Sequence, residues 1–247
     1  MSAVVFVGPT VPPRLRPAGE PMWDWRPPVR QGELYRAALA RPNAIGIIDG
    51  YFEVVPTAWH KEILWAMAAG IHVYGAASIG ALRAAELDSF GMHGIGRVYA
   101  AFRDGVLQDD DEVAVLHGPA ELGYPPVTEA MVNVRATLVA AAHAGILKPE
   151  LAAGLTGIAK AMFYKERTYE ALLQSAAASG FPEGPLRDFA DWLPQGRVDQ
   201  KRRDAEAMLQ AIRTHLTAGA TPMRVDYQLA ETVAWRTACR GECGSDD

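Results

Sequence analysis

Cysteine is nearly absent from this chain: 247 residues contain only Cys239 and Cys243, both in the polar C-terminal stretch. This scarcity excludes a disulfide framework, and we therefore expect a cytoplasmic protein. The pair forms a C-x3-C motif without the second pair or neighbouring histidine that would complete a tetrahedral metal site. We expect two exposed thiols there.

Long apolar runs and a surplus of basic residues are also missing. No stretch approaches the roughly 18–20 uninterrupted apolar residues of a membrane-spanning helix. The first residues lack the basic lead and cleavage site of a signal peptide. The net charge of −5 argues against nucleic acid as the main partner. We expect a globular protein that binds protein or peptide, not nucleic acid or a membrane.

Nucleotide- and metal-binding motifs are absent as well. The sequence has no Walker A pattern and no G-x-G-x-x-G after its first apolar run. The acidic run 109–112 lacks the spaced ligands and central glycine of a calcium loop, so a solvated acidic turn is the better interpretation. The sequence therefore predicts no cofactor and no metal site.

What the first half does contain is an alternation of short apolar runs and helical patterns, typical of βαβ units with a parallel sheet. Residues 12–28 are rich in proline, which predicts an irregular segment. The predicted strands are residues 3–7, 44–49, 71–75 and 112–116, and the predicted helices are 31–40, 57–69 and 79–87.

The second half is mainly helical, because apolar residues recur there at helical spacing. We predict an α/β fold with a parallel sheet of about four or more strands, flanking helices and a mainly helical C-terminal half. The expected divisions are an α/β core over 1–125, a helical portion packed on it over 126–217, and a weakly ordered tail over 218–247.

The sharpest candidate for chemistry is Ser78. A predicted strand runs into it and a predicted helix leaves it, with Ala76 and Gly80 as small neighbours. This arrangement is similar to a nucleophile elbow, and the N–H groups of Ile79 and Gly80 would face an oxyanion at the helix N-terminus. The alternative is that Ser78 is an ordinary helix N-cap. Both interpretations remain open from the pattern alone.

A serine nucleophile needs a base, and two residues at predicted strand ends are candidates. His117 closes the predicted fourth strand and is the preferred base; a satisfied structural histidine is the alternative. Asp49 ends the second strand and could orient the base or hold a water molecule. Its alternative is a turn residue before Gly50.

Further residues are candidates for substrate binding. Arg30 could face a carboxylate or thiocarboxylate. Arg83 and Glu86 share a face of the helix after Ser78, where a surface ion pair is the alternative. His60 lies in the first turn of the preceding helix, near the same edge. Tyr51 and Phe52, together with residues 12–28, are the expected aromatic contact surface for a partner.

Several strings closely resemble the TfuA core-domain family. They are PPVRQG at 27–32, IIDGYF at 47–52, WHKEIL at 59–64, GAASIGALRAAEL at 75–87, GIG at 94–96, DDEVAV at 110–115 and HGPAE at 117–121. The resemblance covers about residues 3 to 135. The string around Ser78 is long and unusual, which makes the resemblance specific, whereas the helical second half is much less diagnostic.

The resemblance implies an accessory role in thioamide formation. Proteins of this family accompany YcaO proteins, which use ATP to activate backbone amides. Together the two make thioamides in ribosomal peptides and in methyl-coenzyme M reductase. It implies hydrolysis of a thiocarboxylated ThiS-like sulfur carrier protein to release sulfide, and help for YcaO in engaging its precursor peptide. The rival hypothesis is a non-catalytic adaptor that presents the carrier or the precursor to YcaO. Only the enzyme hypothesis needs the hydroxyl of Ser78.

Overall fold

The computed structural model describes residues 1–51, 53, 55–233 and 235–237. It divides into two compact units. The first unit comprises Met1–Leu107 and Arg202–Asp247, and the second comprises Gln108–Lys201. The described residues do not include Phe52, Cys239 or Cys243. The expectation that the two thiols are exposed therefore falls on residues outside this part of the chain.

The first unit is built on a five-stranded parallel sheet in the order β2-β1-β3-β4-β5. The strands are β1 (Ser2–Phe6), β2 (Met22–Arg26), β3 (Ala44–Ile47), β4 (His72–Ala76) and β5 (His93–Ile95). Every pairing between neighbouring strands is parallel. The predicted parallel α/β fold is therefore confirmed.

The described helices flank this sheet and then dominate the second half of the chain, as predicted. They are α1 (Glu33–Leu39), α2 (His60–Ala68), α3 (Ile79–Leu87), α4 (Arg97–Arg103), α5 (Met131–His143), α6 (Pro149–Ala161), α7 (Tyr169–Ala178), α8 (Glu183–Gly196) and α9 (Gln200–Thr217).

The sheet is apolar on both faces because successive side chains of its central strands point to opposite sides and both sides are covered. On one face, Phe6 and Ile47 pack with residues of α1 and α2 such as Leu34 and Ile63. On the other face, Val5 and its neighbours pack against α9. The second unit has a separate core formed by residues of α5 to α8.

Two local predictions were wrong. Residues 22–26 form the edge strand β2 rather than an irregular segment. The prolines bracket this strand without entering it, and an edge strand tolerates them there. Residues 112–116 are not a strand: a 3-10 turn covers Asp110–Glu112, and His117 forms only an isolated antiparallel bridge to Pro126. The apolar run after Glu112 is typical of a strand, but the Glu112 carboxylate binds Arg135 and anchors the segment as a turn.

The segment after α9 makes specific contacts in the first unit. The Met223 N–H donates to the Gly70 carbonyl (2.9 Å), and the Tyr227 hydroxyl donates to the Leu64 carbonyl (2.7 Å). Trp235 is 5% exposed and lies edge-on to Tyr35. These residues belong to the expected weakly ordered tail over 218–247, whose order stays a prediction. Among the described residues, no helix is long and apolar enough to cross a membrane.

Candidate functional site

The candidate site lies at the carboxyl edge of the sheet. The chain passes from β1 outward to β2 on one side and then to β3 on the other, so the connections diverge between β1 and β3. In open parallel sheets, ligands bind in the crevice at such a point. The loop after β1, the Asp49 turn after β3 and the Ser78 turn after β4 all belong to this edge.

Asp49 anchors the loop that follows β1. Its Oδ2 accepts hydrogen bonds from the Gly8 N–H (2.9 Å) and the Thr10 N–H (3.1 Å). Its Oδ1 accepts from the Thr10 hydroxyl (2.6 Å). The residue is only 2% exposed. These contacts give the carboxylate a clear structural task, and its catalytic role stays a prediction.

The chain makes a sharp turn immediately before Ser78. The Ser78 N–H donates to the Ala76 carbonyl (2.7 Å), which closes a three-residue turn. Its central residue, Ala77, has a φ of +68°, a conformation that costs a residue with a side chain about 1–2 kcal/mol. Strain of this kind clusters at functional sites, where the surrounding fold holds it in place.

Ser78 occupies the N-cap position of α3 but makes no side-chain capping hydrogen bond. The capping interpretation requires the hydroxyl to accept from an N–H of the first helical turn. The residue is 8% exposed, so most of its surface is shielded from solvent. The hydroxyl is therefore not committed to the cap.

Glycines allow the start of α3 to approach the sheet closely. A Cβ placed on Gly80 would lie 1.8 Å from the Ile47 carbonyl oxygen, and one placed on Gly75 would lie 2.1 Å from the Gly80 carbonyl oxygen. A Cβ on Gly50 would lie 2.8 Å from Cγ2 of Ile79. Glycine is thus required by backbone packing at positions 75 and 80.

The two predicted oxyanion donors differ in the structure. The Gly80 N–H faces the Ile48 carbonyl (3.4 Å), which ties the helix start to the end of β3. Ile79 is the first residue of α3, and an N–H at that position has no acceptor within its own helix. Ile79 is therefore the better candidate for an oxyanion donor.

Three predicted binding residues come together on α2 and α3. The Arg83 guanidinium donates from Nη1 to Oε2 of Glu86 (2.6 Å) and from Nε to the Ala58 carbonyl (3.0 Å). His60 Nε2 lies 2.8 Å from the same Glu86 oxygen. His60 and Glu86 are exposed, whereas the Arg83 side chain is 13% exposed. This cluster is an ion-pair network that a partner can reach.

Arg30 and Tyr51 form a second pair. The Arg30 guanidinium carbon lies 4.5 Å from the centre of the Tyr51 ring, a distance typical of a cation–π contact. The Arg30 N–H donates to Oε2 of Glu33 (2.8 Å) at the start of α1. The predicted neighbour Phe52 lies outside the described residues.

His117 belongs to the second unit, and the predicted strand that would have placed it beside Ser78 does not form. Its Nδ1 lies 2.8 Å from the Gly118 carbonyl. A carbonyl only accepts, so a proton is assigned to Nδ1. The role of His117 as a general base stays a prediction.

Sequence reasoning missed the carboxylate of Glu62, which is 2% exposed. It accepts hydrogen bonds from the N–H groups of Gly32 (2.9 Å), Tyr35 (3.2 Å) and Trp59 (3.1 Å), and so serves the N-termini of both α1 and α2. The Glu62 position three residues after Trp59 was a signal, since a capping box has this spacing.

A histidine cluster was also missed, at the opposite, amino edge of the sheet. His72, His93 and His215 each bring a ring nitrogen within 4.8 Å of the other two. Burial, reinforced by the two other histidines, lowers the pKa of His93 to about 4. Burial also raises the pKa of the adjacent Tyr74 to about 12. No sequence signal joins these residues, because they come from β4, β5 and α9.

The fold and the turn together define a class: a parallel α/β protein with a serine at a strained strand-to-helix turn on the carboxyl edge of its sheet. Within that class, residues 49–168 match the model of the family described as TfuA-like protein. This match supports the family predicted from the sequence. The match includes Asp49, Ser78 and His117 but not Arg30. A search of curated proteins found no match.

The family supports an accessory role related to thioamidation.

Proposed function

We propose that this chain is an accessory protein of YcaO-dependent peptide thioamidation that hydrolyses the C-terminal thiocarboxylate of a ThiS-like sulfur carrier. It would release sulfide and assist YcaO in engaging the precursor peptide. The observation that carries the proposal is the strained turn at Ala77, followed directly by a Ser78 hydroxyl that makes no capping hydrogen bond. Such a turn is typical of a serine that acts on a carbonyl carbon.

The proposed reaction is acyl transfer to serine followed by hydrolysis. The Ser78 oxygen attacks the thiocarboxylate carbon and transfers its proton to a base. The C–S bond of the tetrahedral intermediate then breaks, sulfur leaves as sulfide, and an acyl-serine ester remains. Water cleaves the ester, so that one thiocarboxylate and one water yield one carboxylate and one hydrogen sulfide. The negative charge on the intermediate's oxygen is best stabilised by backbone donors at the N-terminus of α3.

Two residues are proposed for the base. His117 is the base that the sequence favours, and its Nδ1 donates to the Gly118 carbonyl. Asp49 lies at the same sheet edge as Ser78, but its oxygens already accept from Gly8 and Thr10. If Asp49 is the base, water is the more natural nucleophile and Ser78 positions it.

The charged clusters are proposed to bind the carrier. A thiocarboxylate is an anion, and Arg83 and Arg30 are the cations on the described part of this edge that we assign to it. Arg83 already binds Glu86, so an incoming anion would compete with that carboxylate for the guanidinium. Arg30 lies over Tyr51, whose ring adds apolar surface for the last residues of the carrier.

A non-catalytic adaptor is the second candidate, and the contacts of Asp49 favour it. A carboxylate that holds the loop after β1 has a structural reason to be there without any catalysis. An adaptor would bind the thiocarboxylated carrier and return it intact.

The experiment is to incubate the purified protein with a thiocarboxylated ThiS-like carrier and to follow free sulfide and carrier mass together. If the protein hydrolyses the carrier, each carrier molecule exchanges one sulfur for one oxygen and its mass falls by about 16 Da. Free sulfide should then appear at the same rate as the lighter carrier. An adaptor predicts unchanged carrier mass with retained binding. His117→Ala and Asp49→Asn then identify the base, with a thermal unfolding curve for each variant to separate loss of activity from loss of fold.

A further inference from the structure

We propose that His72, His93 and His215 form a binding site for a divalent transition-metal ion of the zinc class at the amino edge of the sheet. One ring nitrogen of each residue lies within 4.8 Å of the other two. The site is separate from the proposed active site, because β4 starts at His72 and ends at Ala76, two residues before Ser78. A strand of this length spans roughly 15 Å.

His72 and His93 already have the spacing of two ligands on one ion. His72 Nδ1 lies 3.3 Å from His93 Nε2. Zinc–nitrogen bonds of about 2.0–2.1 Å at a tetrahedral angle place two ligand nitrogens roughly 3.3–3.4 Å apart. β4 and β5 are paired neighbours in which His93 lies opposite Tyr74, and His72 stands two residues before Tyr74, on the same face of the sheet.

His72 is oriented as metal-binding histidines usually are. Its Nε2 lies 2.8 Å from the Thr221 carbonyl oxygen, which can only accept a hydrogen bond. The proton is therefore assigned to Nε2, and the lone pair to the Nδ1 that faces His93. A ligating histidine commonly donates its other N–H to a carbonyl in this way, which holds the ring in place.

His215 supplies the third imidazole from α9. Its Nδ1 is hydrogen bonded to the Tyr74 hydroxyl, and its ring stands edge-on to His72 with the ring centres 4.4 Å apart. Nε2 of His215 takes no part in this hydrogen bond. His72 and His215 are thus each held by a hydrogen bond to a neighbouring oxygen atom.

Three imidazoles define the metal by its chemistry. Imidazole suits Zn²⁺, Co²⁺, Ni²⁺ and Cu²⁺, whereas Mg²⁺ and Ca²⁺ prefer oxygen ligands. Three protein ligands leave a fourth position for water or another donor. The ion would join β4, β5 and α9 and hold the segment containing Thr221, so binding should stabilise the first unit.

The test uses the full-length protein, freed of metal with a chelator, and titrates it with Zn²⁺ and with Co²⁺. We expect one Zn²⁺ per chain, visible d–d absorption from bound Co²⁺, and a rise in melting temperature with Zn²⁺. His93→Gln and His215→Gln should each weaken Zn²⁺ binding by at least about 100-fold, more than the loss of a supporting residue does.

His143→Gln is the matched control, because His143 is exposed at the end of α5 in the second unit. It should bind Zn²⁺ as the unaltered chain does. Far-UV circular dichroism of metal-free His215→Gln, whose substitution lies in the last turn of a helix, shows that the fold survives. The proposal is overturned if the unaltered chain binds less than one Zn²⁺, or if both cluster variants bind it as tightly as His143→Gln.

Discussion

At the residue scale, the turn between β4 and α3 concentrates the features that point to function. Ala77 has a φ of +68°, and the glycines on either side permit backbone contacts that a Cβ would block. The fold holds this turn although its local conformation is unfavourable. Ser78 is the residue that the turn places at the sheet edge.

Gly80→Ala tests the close approach of α3 to the sheet. Its Cβ would lie 1.8 Å from the Ile47 carbonyl oxygen, which is backbone and cannot move aside cheaply. We expect the free energy of unfolding to fall by about 3 kcal/mol or more, as with severe overpacking. Chemical denaturation measures this loss.

Gly157→Ala is the matched control. Gly157 lies inside α6, and nothing is within 4 Å of a Cβ placed there. Alanine should be neutral or stabilise the protein by up to about 1 kcal/mol, because it is the better helix former. Equal effects of the two substitutions would contradict the packing argument.

At the element scale, Glu62 joins two helix N-termini. Glu62→Ala would leave the N–H groups of Gly32, Tyr35 and Trp59 without their carboxylate acceptor. We expect a loss of about 2–4 kcal/mol in the free energy of unfolding, since orphaned buried donors cost about 1–3 kcal/mol each and water can reach part of this site.

Glu206→Ala provides the comparison for Glu62→Ala. Glu206 is exposed on α9, and its Oε1 lies 3.8 Å from Nε of Arg202. Such a surface pair contributes less than about 1 kcal/mol, so its removal should change stability little. A Glu62→Ala protein as stable as Glu206→Ala would show that the shared cap contributes nothing.

The elements also show how far the sequence leads. The runs at 3–7, 44–49 and 71–75 were predictable because strands buried on both faces are continuously apolar. β2 was not predictable, because the prolines on either side of it indicated an irregular segment, although the strand itself contains no proline. The strand predicted over 112–116 does not form, because Glu112 is held by Arg135 from α5, a contact that the local apolar run does not encode.

Parts of the candidate site were predictable for the same reason. Parallel topology brings strand ends to one edge, so Ser78 and Asp49 could be placed together from the strand pattern. The histidine cluster could not, because His72 and His215 meet only through the packing of α9 on the sheet.

At the scale of the whole molecule, both units have an apolar core, and the second unit also contains a cluster of ion pairs. The first is an apolar sheet covered on both faces. The second contains a charged centre, in which Arg167, 0% exposed, donates to Oδ2 of Asp111 (2.7 Å). Lys160 binds the other Asp111 oxygen. Acid should therefore destabilise the second unit through protonation of the Asp111 carboxylate.

Asp111→Asn tests this expectation. Burial alone would raise the pKa of Asp111, but hydrogen bonds from Lys160 and Arg167 outweigh it and hold the pKa below its ordinary 3.8. A lowered folded-state pKa adds stability that is complete above 3.8 and is lost as the pH falls through the folded-state pKa. The unaltered chain should therefore exceed Asp111→Asn in stability at pH 7, and this difference should shrink below about pH 4.

Denaturation of both proteins between pH 7 and pH 3 measures that difference. Glu129, whose pKa burial raises despite the nearby Arg197, has the opposite pH dependence. It is present in both proteins, so its effect cancels in the comparison. A difference that stays constant or grows on acidification would contradict the account of Asp111.

The most direct measurement of the central claim is the rate of sulfide release from a thiocarboxylated carrier by Ser78→Ala, compared with Ser89→Ala. Ser89 is exposed in the turn after α3 and controls for loss of a serine hydroxyl nearby. We predict that Ser89→Ala keeps full activity, whereas Ser78→Ala loses several orders of magnitude and melts at nearly the same temperature. Full sulfide release by a folded Ser78→Ala protein would contradict the account.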